Sequence, residues 1–168
     1  MSPEEISQRR AKQLRAKAYY DMIALNEGYK TQVYEDDKGN RTIGIGFNLE
    51  DKANQKLLNQ QGIDINELFK GRELNDKEIK TLYNHSLSQA YADARKFDPK
   101  FDKRSEGVKM ALTDMSFNLG LTKLNKFKNM KEALQNDDYR TAATEAQDSN
   151  WFNQVKDRGP RTVSLFNK

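Results

Sequence analysis

The chain of 168 residues has no cysteine and a single histidine. Without thiols there is no disulfide framework, no thiolate metal site and no cysteine nucleophile. One imidazole cannot furnish a histidine-rich metal centre, and any Ser-His-Asp triad has to run through His85. That residue falls within Lys77 to Lys96, a polar amphipathic stretch read as helix, and no G-x-S-x-G elbow accompanies it. A solvated or capping histidine is expected. Long apolar runs are also missing, the longest being Met22 to Leu25. Four residues neither span a bilayer nor form a secretory core of about 7 to 15 residues, so no transmembrane helix and no standard signal peptide are expected. Leu, Ile, Val and Phe together make only about a fifth of the chain, close to the level at which disorder sets in. Against that stand 7 Tyr, 8 Phe and 1 Trp and a net charge of only +4, which favour one folded domain with a thin, divided core.

The charge is unevenly placed. Residues 1–20 carry Arg9, Arg10, Lys12, Arg15 and Lys17 against Glu4 and Glu5, which leaves the rest of the chain almost neutral. Ser2-Pro3-Glu4-Glu5 is a strong helix start, with Ser2 at the N-cap, Pro3 in the first turn and Glu5 in capping-box position. A helix from Pro3 to Glu27 is expected. Its first half has only Ile6 and Leu14 as large apolar residues and should project as a basic extension. Tyr19, Tyr20, Met22, Ile23 and Leu25 form a dense second half that should bury. A basic extension suits nucleic acid, anionic lipid or acidic wall polymers. Nucleic acid is not expected, because there is no zinc-finger spacing and no aromatic residue interleaves with the basic run.

After this helix, Thr31 to Tyr34 and Arg41 to Phe47 are rich in β-formers and flank a polar stretch with a turn glycine, the signature of a β-hairpin. Short helical pieces follow at Leu57–Leu58 and from Ile63 to Phe69. Asn75 with Glu78 starts a long helix that runs to about Phe97 and stops before Asp98-Pro99. Four or five helices are expected from Glu106 onward, broken near Gly120, Asp137-Asp138, Ser149 and Gly159-Pro160. The fold class is α+β and predominantly helical: a small α+β lobe over about residues 21–75, a connecting helix at 76–97 and an all-helical lobe at 98–168, preceded by the extension of residues 1–20.

Two acids stand out. Glu27 ends an apolar helix just before Gly28, a natural residue for leaving a helix in the left-handed conformation. A carboxyl there faces the negative end of the helix dipole, which favours its protonated form and suits a proton donor. Asp36 opens a polar turn, where water and backbone amides keep a carboxylate charged. Such a split is what glycoside hydrolysis requires, although surface carboxylates at a helix end and a turn would look the same. In Thr42-Ile43-Gly44-Ile45-Gly46-Phe47 a strand period of two puts Ile43, Ile45 and Phe47 on a core face and Thr42, Gly44 and Gly46 on the other. Glycines inside a strand imply a close approach, with a substrate the natural candidate. A phosphate loop is excluded because G-x-x-x-x-G-K-[ST] is absent, and a calcium loop because Lys38 and Phe47 stand where oxygen ligands are needed.

Glu27-Gly28, Tyr34-x-Asp36 and Gly39-x-x-Thr42-Ile43-Gly44-Ile45-Gly46 resemble the catalytic signature of the T-even bacteriophage lysozymes, glycoside hydrolase family 24. The resemblance continues through Met115-Ser116-Phe117-Asn118-Leu119-Gly120, Phe127 to Leu134, Ser149 to Gln154 and Arg158 to Phe166. It implies a two-lobed lysozyme-like fold and an N-acetylmuramidase that cuts the β-1,4 bond between N-acetylmuramic acid and N-acetylglucosamine in peptidoglycan. Glu27 would be the general acid, Asp36 would assist the attacking water and Thr42 would help place it. Inversion implies carboxyl groups about 6.5 to 9.5 Å apart. Asn48, Phe117, Asn118 and Arg158 are expected to bind substrate, with Phe117 as an aromatic cleft wall and Arg158 near the catalytic glutamate, while Trp151 is expected in the core. Phe47 stands where the family often has histidine, and Met130 and Glu145 replace smaller or neutral residues expected on the cleft side.

No metal or organic cofactor is implied. The expected partner is the peptidoglycan glycan strand, engaged by a monomer. Two settings follow. One is an endolysin held in the bacterial host cytoplasm until a membrane-disrupting, holin-type partner releases it to the periplasm and wall; the other is a virion-borne or secreted wall-piercing form. A lytic transglycosylase and a non-catalytic wall-binding module remain as alternatives at this point.

Overall fold

The computed structural model covers residues 1–168 and describes every side chain except those of Ala11, Leu14 and Arg15. Along the chain run α1 (Pro3–Glu27), β1 (Lys30–Glu35), β2 (Arg41–Gly44), β3 (Phe47–Asn48), α2 (Lys52–Gln60), α3 (Ile65–Phe69) and α4 (Asp76–Phe97). A 3-10 turn at Phe101–Lys103 precedes α5 (Glu106–Leu124), α6 (Lys128–Gln135), α7 (Tyr139–Gln147), α8 (Asn150–Gln154) and α9 (Arg158–Leu165). Helices predominate over a small antiparallel sheet of order β1-β2-β3, the α+β class expected. The backbone divides into two compact units, Met1–Ser86 and Leu87–Lys168.

In the first unit both long helices begin where their caps predict. Ser2 and Glu5 exchange side-chain-to-backbone bonds across the first turn of α1, and Asn75 and Glu78 do the same at α4. Only part of the second half of α1 is buried. Tyr19 and Ile23, four residues apart, face the core, while Leu25 is 70 % exposed, because two residues beyond Ile23 lies about 200° round the helix. Gly28 leaves α1 at φ 79, ψ 178. This is the extended positive-φ region open essentially to glycine alone, not the left-handed cap expected from sequence. Beyond it, Tyr29 Oη donates to Asp76 Oδ1 at 2.7 Å, and Thr31 Oγ1 donates to Glu73 Oε1 at 3.1 Å. Leu74 N donates to Thr31 O at 2.9 Å, so the start of β1 is stitched to the entry of α4. The core of this unit includes Ile43, Ile45, Phe47, Leu49, Leu58, Leu68, Ile79 and Tyr83. His85 is exposed, as expected.

The second unit centres on Phe97, Phe101, Leu112, Met115, Met130, Leu134, Trp151 and Phe166. Met130 is fully buried there and therefore presents nothing to a cleft surface, contrary to the expectation from sequence. The helical breaks fall as expected at Gly120 and before α7 and α8, but not at Gly159-Pro160, which lie in the first turn of α9. Proline is tolerated there because first-turn N–H groups have no intrahelical partner. The chain reverses instead at Lys156, whose φ is 49°.

Two buried polar networks lock this unit. Arg104 Nε and Nη2 donate to Asp98 at 2.8 and 3.1 Å, Nη2 also reaches Leu134 O, and Nη1 reaches Asp137 and Tyr139. Asp114 is fully buried and accepts from Arg158 Nε at 3.0 Å, Arg158 Nη2 at 2.7 Å and Thr162 Oγ1 at 2.6 Å, fastening α9 to α5. Removing one member of such a pair leaves a buried charge uncompensated. Arg104→Ala is expected to lower stability by about 3–5 kcal/mol in denaturant unfolding followed by circular dichroism. A cost near that of a surface substitution would show that the network is dispensable.

Candidate active site

Strand pairing brings the expected residues of the first unit together. Tyr34 lies opposite Thr42 across β1 and β2, and Thr42 lies opposite Asn48 across β2 and β3. Residues paired in this way project from the same face of a sheet, so Tyr34, Thr42 and Asn48 form a row across all three strands. Asp36, two residues beyond Tyr34, sits at the end of this row.

The hairpin turn is built around Asp36. Its Oδ1 accepts from the backbone N–H of Lys38 at 2.9 Å and of Asn40 at 2.8 Å, while its own N–H donates to Asn40 O at 2.9 Å. This is the turn an aspartate makes when its side chain stands in for backbone. Burial raises the carboxyl's pKa, but the Asn40 and Lys38 amides outweigh it and hold the group below its ordinary value. Thr42 is buried beside it. Its Oγ1 is 3.0 Å from Asn40 O and 3.5 Å from Asp36 Oδ2, and its single proton fits the shorter bond to the carbonyl. Asn48 Oδ1 accepts from Glu50 N at 2.8 Å, which leaves its amide group on the row.

The glycine-rich segment differs from the expected strand. Strand β2 ends at Gly44, which pairs with Lys30, and Ile45-Gly46 turns the chain so that Phe47 pairs back on Ile43 in a second, tight hairpin, with φ of 67° at Gly44 and 62° at Gly46. Ile43, Ile45 and Phe47 are all buried, and that burial imitates strand alternation. What closes on Gly46 is a carboxyl group of the chain itself: a Cβ built there would lie 2.6 Å from Glu27 Oε2 and 3.0 Å from Glu27 Cδ. Glu27 ends α1 half-buried, with no basic residue in the last turn.

Tyr34 belongs to the signature but had no role from sequence. Its phenol is half-buried. Burial first, then the charges of Glu27, Asp36 and Asp37, raise its pKa, so it stays a hydroxyl donor between the two acids. The signal that identifies it is its place near the end of β1, one residue short of the turn that Asp36 opens.

The remaining expected residues lie in the second unit. Phe117 and Asn118 are half-buried near the Gly120 kink of α5. Asn118 Oδ1 accepts from Trp151 Nε1 at 3.1 Å, so its amide Nδ2 is the side available as a donor to a ligand. Trp151 is buried in the core, as expected, and Arg158 is 5 % exposed and held by Asp114.

Two carboxyl groups in unlike surroundings, with a hydroxyl and an amide on the same sheet face, are the equipment of a glycoside hydrolase. Comparison with known proteins makes the class specific. The phage lysozyme family profile matches residues 24–166, and the chain belongs to that family. The probable T4-type lysozyme 2 of Dictyostelium discoideum is 29% identical over 156 residues, which span 87% of this chain and 91% of that protein. The probable T4-type lysozyme 1 of the same organism is 25% identical over 166 residues, with the same coverage of the two chains. The pre-baseplate central spike protein Gp5 of Enterobacteria phage T4 is 29% identical over 156 residues, 87% of this chain but only 27% of the spike protein. The chain is accordingly a muramidase, a hydrolase of peptidoglycan.

Gly46→Ala places a methyl group where the Glu27 carboxyl now lies, on a backbone with positive φ. Stability is expected to fall by about 1–2 kcal/mol. Peptidoglycan clearing should fall about 100-fold, because a displacement near 1 Å at a reacting group has that effect. Loss of activity only in proportion to unfolded protein would refute the contact's importance.

Proposed function

We propose that the chain hydrolyses the β-1,4 bond between N-acetylmuramic acid and N-acetylglucosamine with inversion, Glu27 acting as general acid and Asp36 as base toward water. The observation that carries this reading is the hold of two backbone amides on Asp36 beside a hydroxyl whose proton is already committed. With its hydrogen on Asn40 O, Thr42 offers only lone pairs to a water. A water that gives one hydrogen bond to Thr42 Oγ1 and the other to Asp36 Oδ2 is oriented with an oxygen lone pair free for attack on the anomeric carbon. As the C–O bond forms, the proton passes to Asp36, while Glu27 delivers its own proton to the leaving oxygen. Tyr34 supplies a hydrogen-bond donor to a sugar oxygen or to the water between the acids. Asn48 extends the row with an amide donor. Within the second unit, Phe117, the Nδ2 group of Asn118 and Arg158, held by Asp114, are proposed as substrate-binding residues.

The biological setting is bacterial wall degradation. Relation to a phage spike protein supports a virion-borne form, and the absence of a membrane-spanning helix among the described residues accords equally with an endolysin that relies on a holin-type partner. Detection of the chain in purified particles separates the two.

Glu27→Gln is expected to reduce release of reducing muramic ends by about 100-fold or more with the fold intact, since an amide N–H is far too weakly acidic to transfer a proton to the leaving oxygen. An anhydromuramic product in mass spectra of wild-type digests would overturn the hydrolytic mechanism. Asp36→Asn keeps an acceptor for the turn and should lose rate alone, whereas Asp36→Ala should lose rate and hairpin stability together. Because amides lower the Asp36 pKa, the base stays ionised down to pH values under the ordinary 3.8, and the acidic limb of kcat/KM set by it should lie below that value. A limb above it would remove Asp36 as the base. Tyr34→Phe should cost about fivefold to tenfold in kcat/KM, with melting temperature nearly unchanged.

A further inference from the structure

The first two-thirds of α1 is a helix that packs against nothing described. Every described side chain from Met1 to Ala18 is exposed, and Tyr19 is the first buried one among the described residues. An isolated helix of this length is marginal in water. This one is built to hold without packing, through a capping box, proline at its first position and strong helix formers thereafter. From Pro3 to Ala18 it extends about 24 Å at a rise of about 1.5 Å per residue. At about 100° per residue, Arg9, Arg10 and Lys12 fan over nearly half its circumference. The acids do little to offset them: Glu5 Oε2 accepts from Ser2 N in the cap, and Asp21 pairs with Lys17 further along.

Such a rod attracts polyanions without reading their structure. It has no aromatic residue before Tyr19 on which a base could stack. It has no continuous apolar face to enter a lipid headgroup layer, since Ile6 and Leu14 are its only large apolar residues beyond Met1. Its charges fan over one broad side of the rod, which suits a mesh whose anions are not arranged in a single row. The polymer already assigned to this chain is of that kind, because its peptide stems carry free carboxylates, as does muramic acid wherever no stem is attached. We propose that residues 3–18 form an electrostatic tether to the anionic peptidoglycan mesh, holding the enzyme on the wall between cleavages. This rests on the muramidase reading for the identity of the polyanion.

The test compares the full chain with two triple variants, Arg9→Gln/Arg10→Gln/Lys12→Gln and Arg9→Glu/Arg10→Glu/Lys12→Glu, each checked for helix content by circular dichroism. Co-sedimentation with purified sacculi is measured at low and high ionic strength, and cleavage is measured on sacculi and on short soluble glycan fragments. Charge reversal should weaken sedimentation about 100-fold at low ionic strength, with neutralisation falling between it and wild type. The difference should collapse in high salt. The KM for sacculi should rise in parallel, while kcat on soluble fragments stays unchanged. Equal sedimentation of the three proteins would overturn the tether, as would tighter binding of the wild type to duplex DNA or to anionic phospholipid vesicles than to sacculi. A failure of the muramidase reading shows separately, as absence of cleavage on either substrate.

Discussion

The carboxyl group of Glu27 fills the space where residue 46 would carry a Cβ, and the small sheet is arranged around that contact. The acid is carried by the end of a long helix, whereas the glycine is carried by the two-residue turn between β2 and β3. Each is fixed independently. Ile23 anchors the helix in the core one turn earlier, and Ile43, Ile45 and Phe47 anchor both sides of the loop. The exit from α1 adds a further constraint, because Gly28 takes a backbone conformation that other residues rarely adopt. Placement of the acid thus follows from hydrophobic burial several residues away, and the glycines serve to bring backbone close to it.

Asp36 combines two duties in one group. It closes the β1–β2 turn through two backbone N–H groups and faces the row formed by Tyr34, Thr42 and Asn48. The same bonds that organise the hairpin also keep the carboxylate charged. Its folded pKa is lowered, so the stability it contributes is complete above the ordinary carboxylate value and fades as pH falls through the folded one. Architecture and ionisation state are therefore lost together in acid.

Features written in local sequence were legible before the structure. The capping boxes at Ser2 and Asn75 fixed the starts of α1 and α4, and the polar stretch from Glu35 to Asn40 marked a hairpin. Glu27, Asp36 and Thr42 drew notice from local pattern alone, and the structure sets Thr42 beside Asp36 and the Glu27 carboxyl against Gly46. Harder to read was Thr42 to Phe47, where three buried apolar residues at alternate positions are compatible with one strand or with a tight hairpin. Only the pairing of Ile43 with Phe47 distinguishes them. Networks that join distant residues left no local trace. Arg104 meets Asp137 33 positions away, and Arg158 meets Asp114 44 positions away, so neither pair follows from spacing. Met130 was misplaced for a related reason: the apolar face of a short helix shows that something is buried, not against which neighbour.

The chain's sole tryptophan, Trp151, is buried in the second unit with its indole N–H on Asn118, whereas five of the seven tyrosines fall in the first. Indole emission is consequently an internal gauge of the second unit alone, and tyrosine emission weighs toward the first. The two chromophores divide a spectroscopic record of unfolding along the same boundary that divides the backbone, with no label introduced.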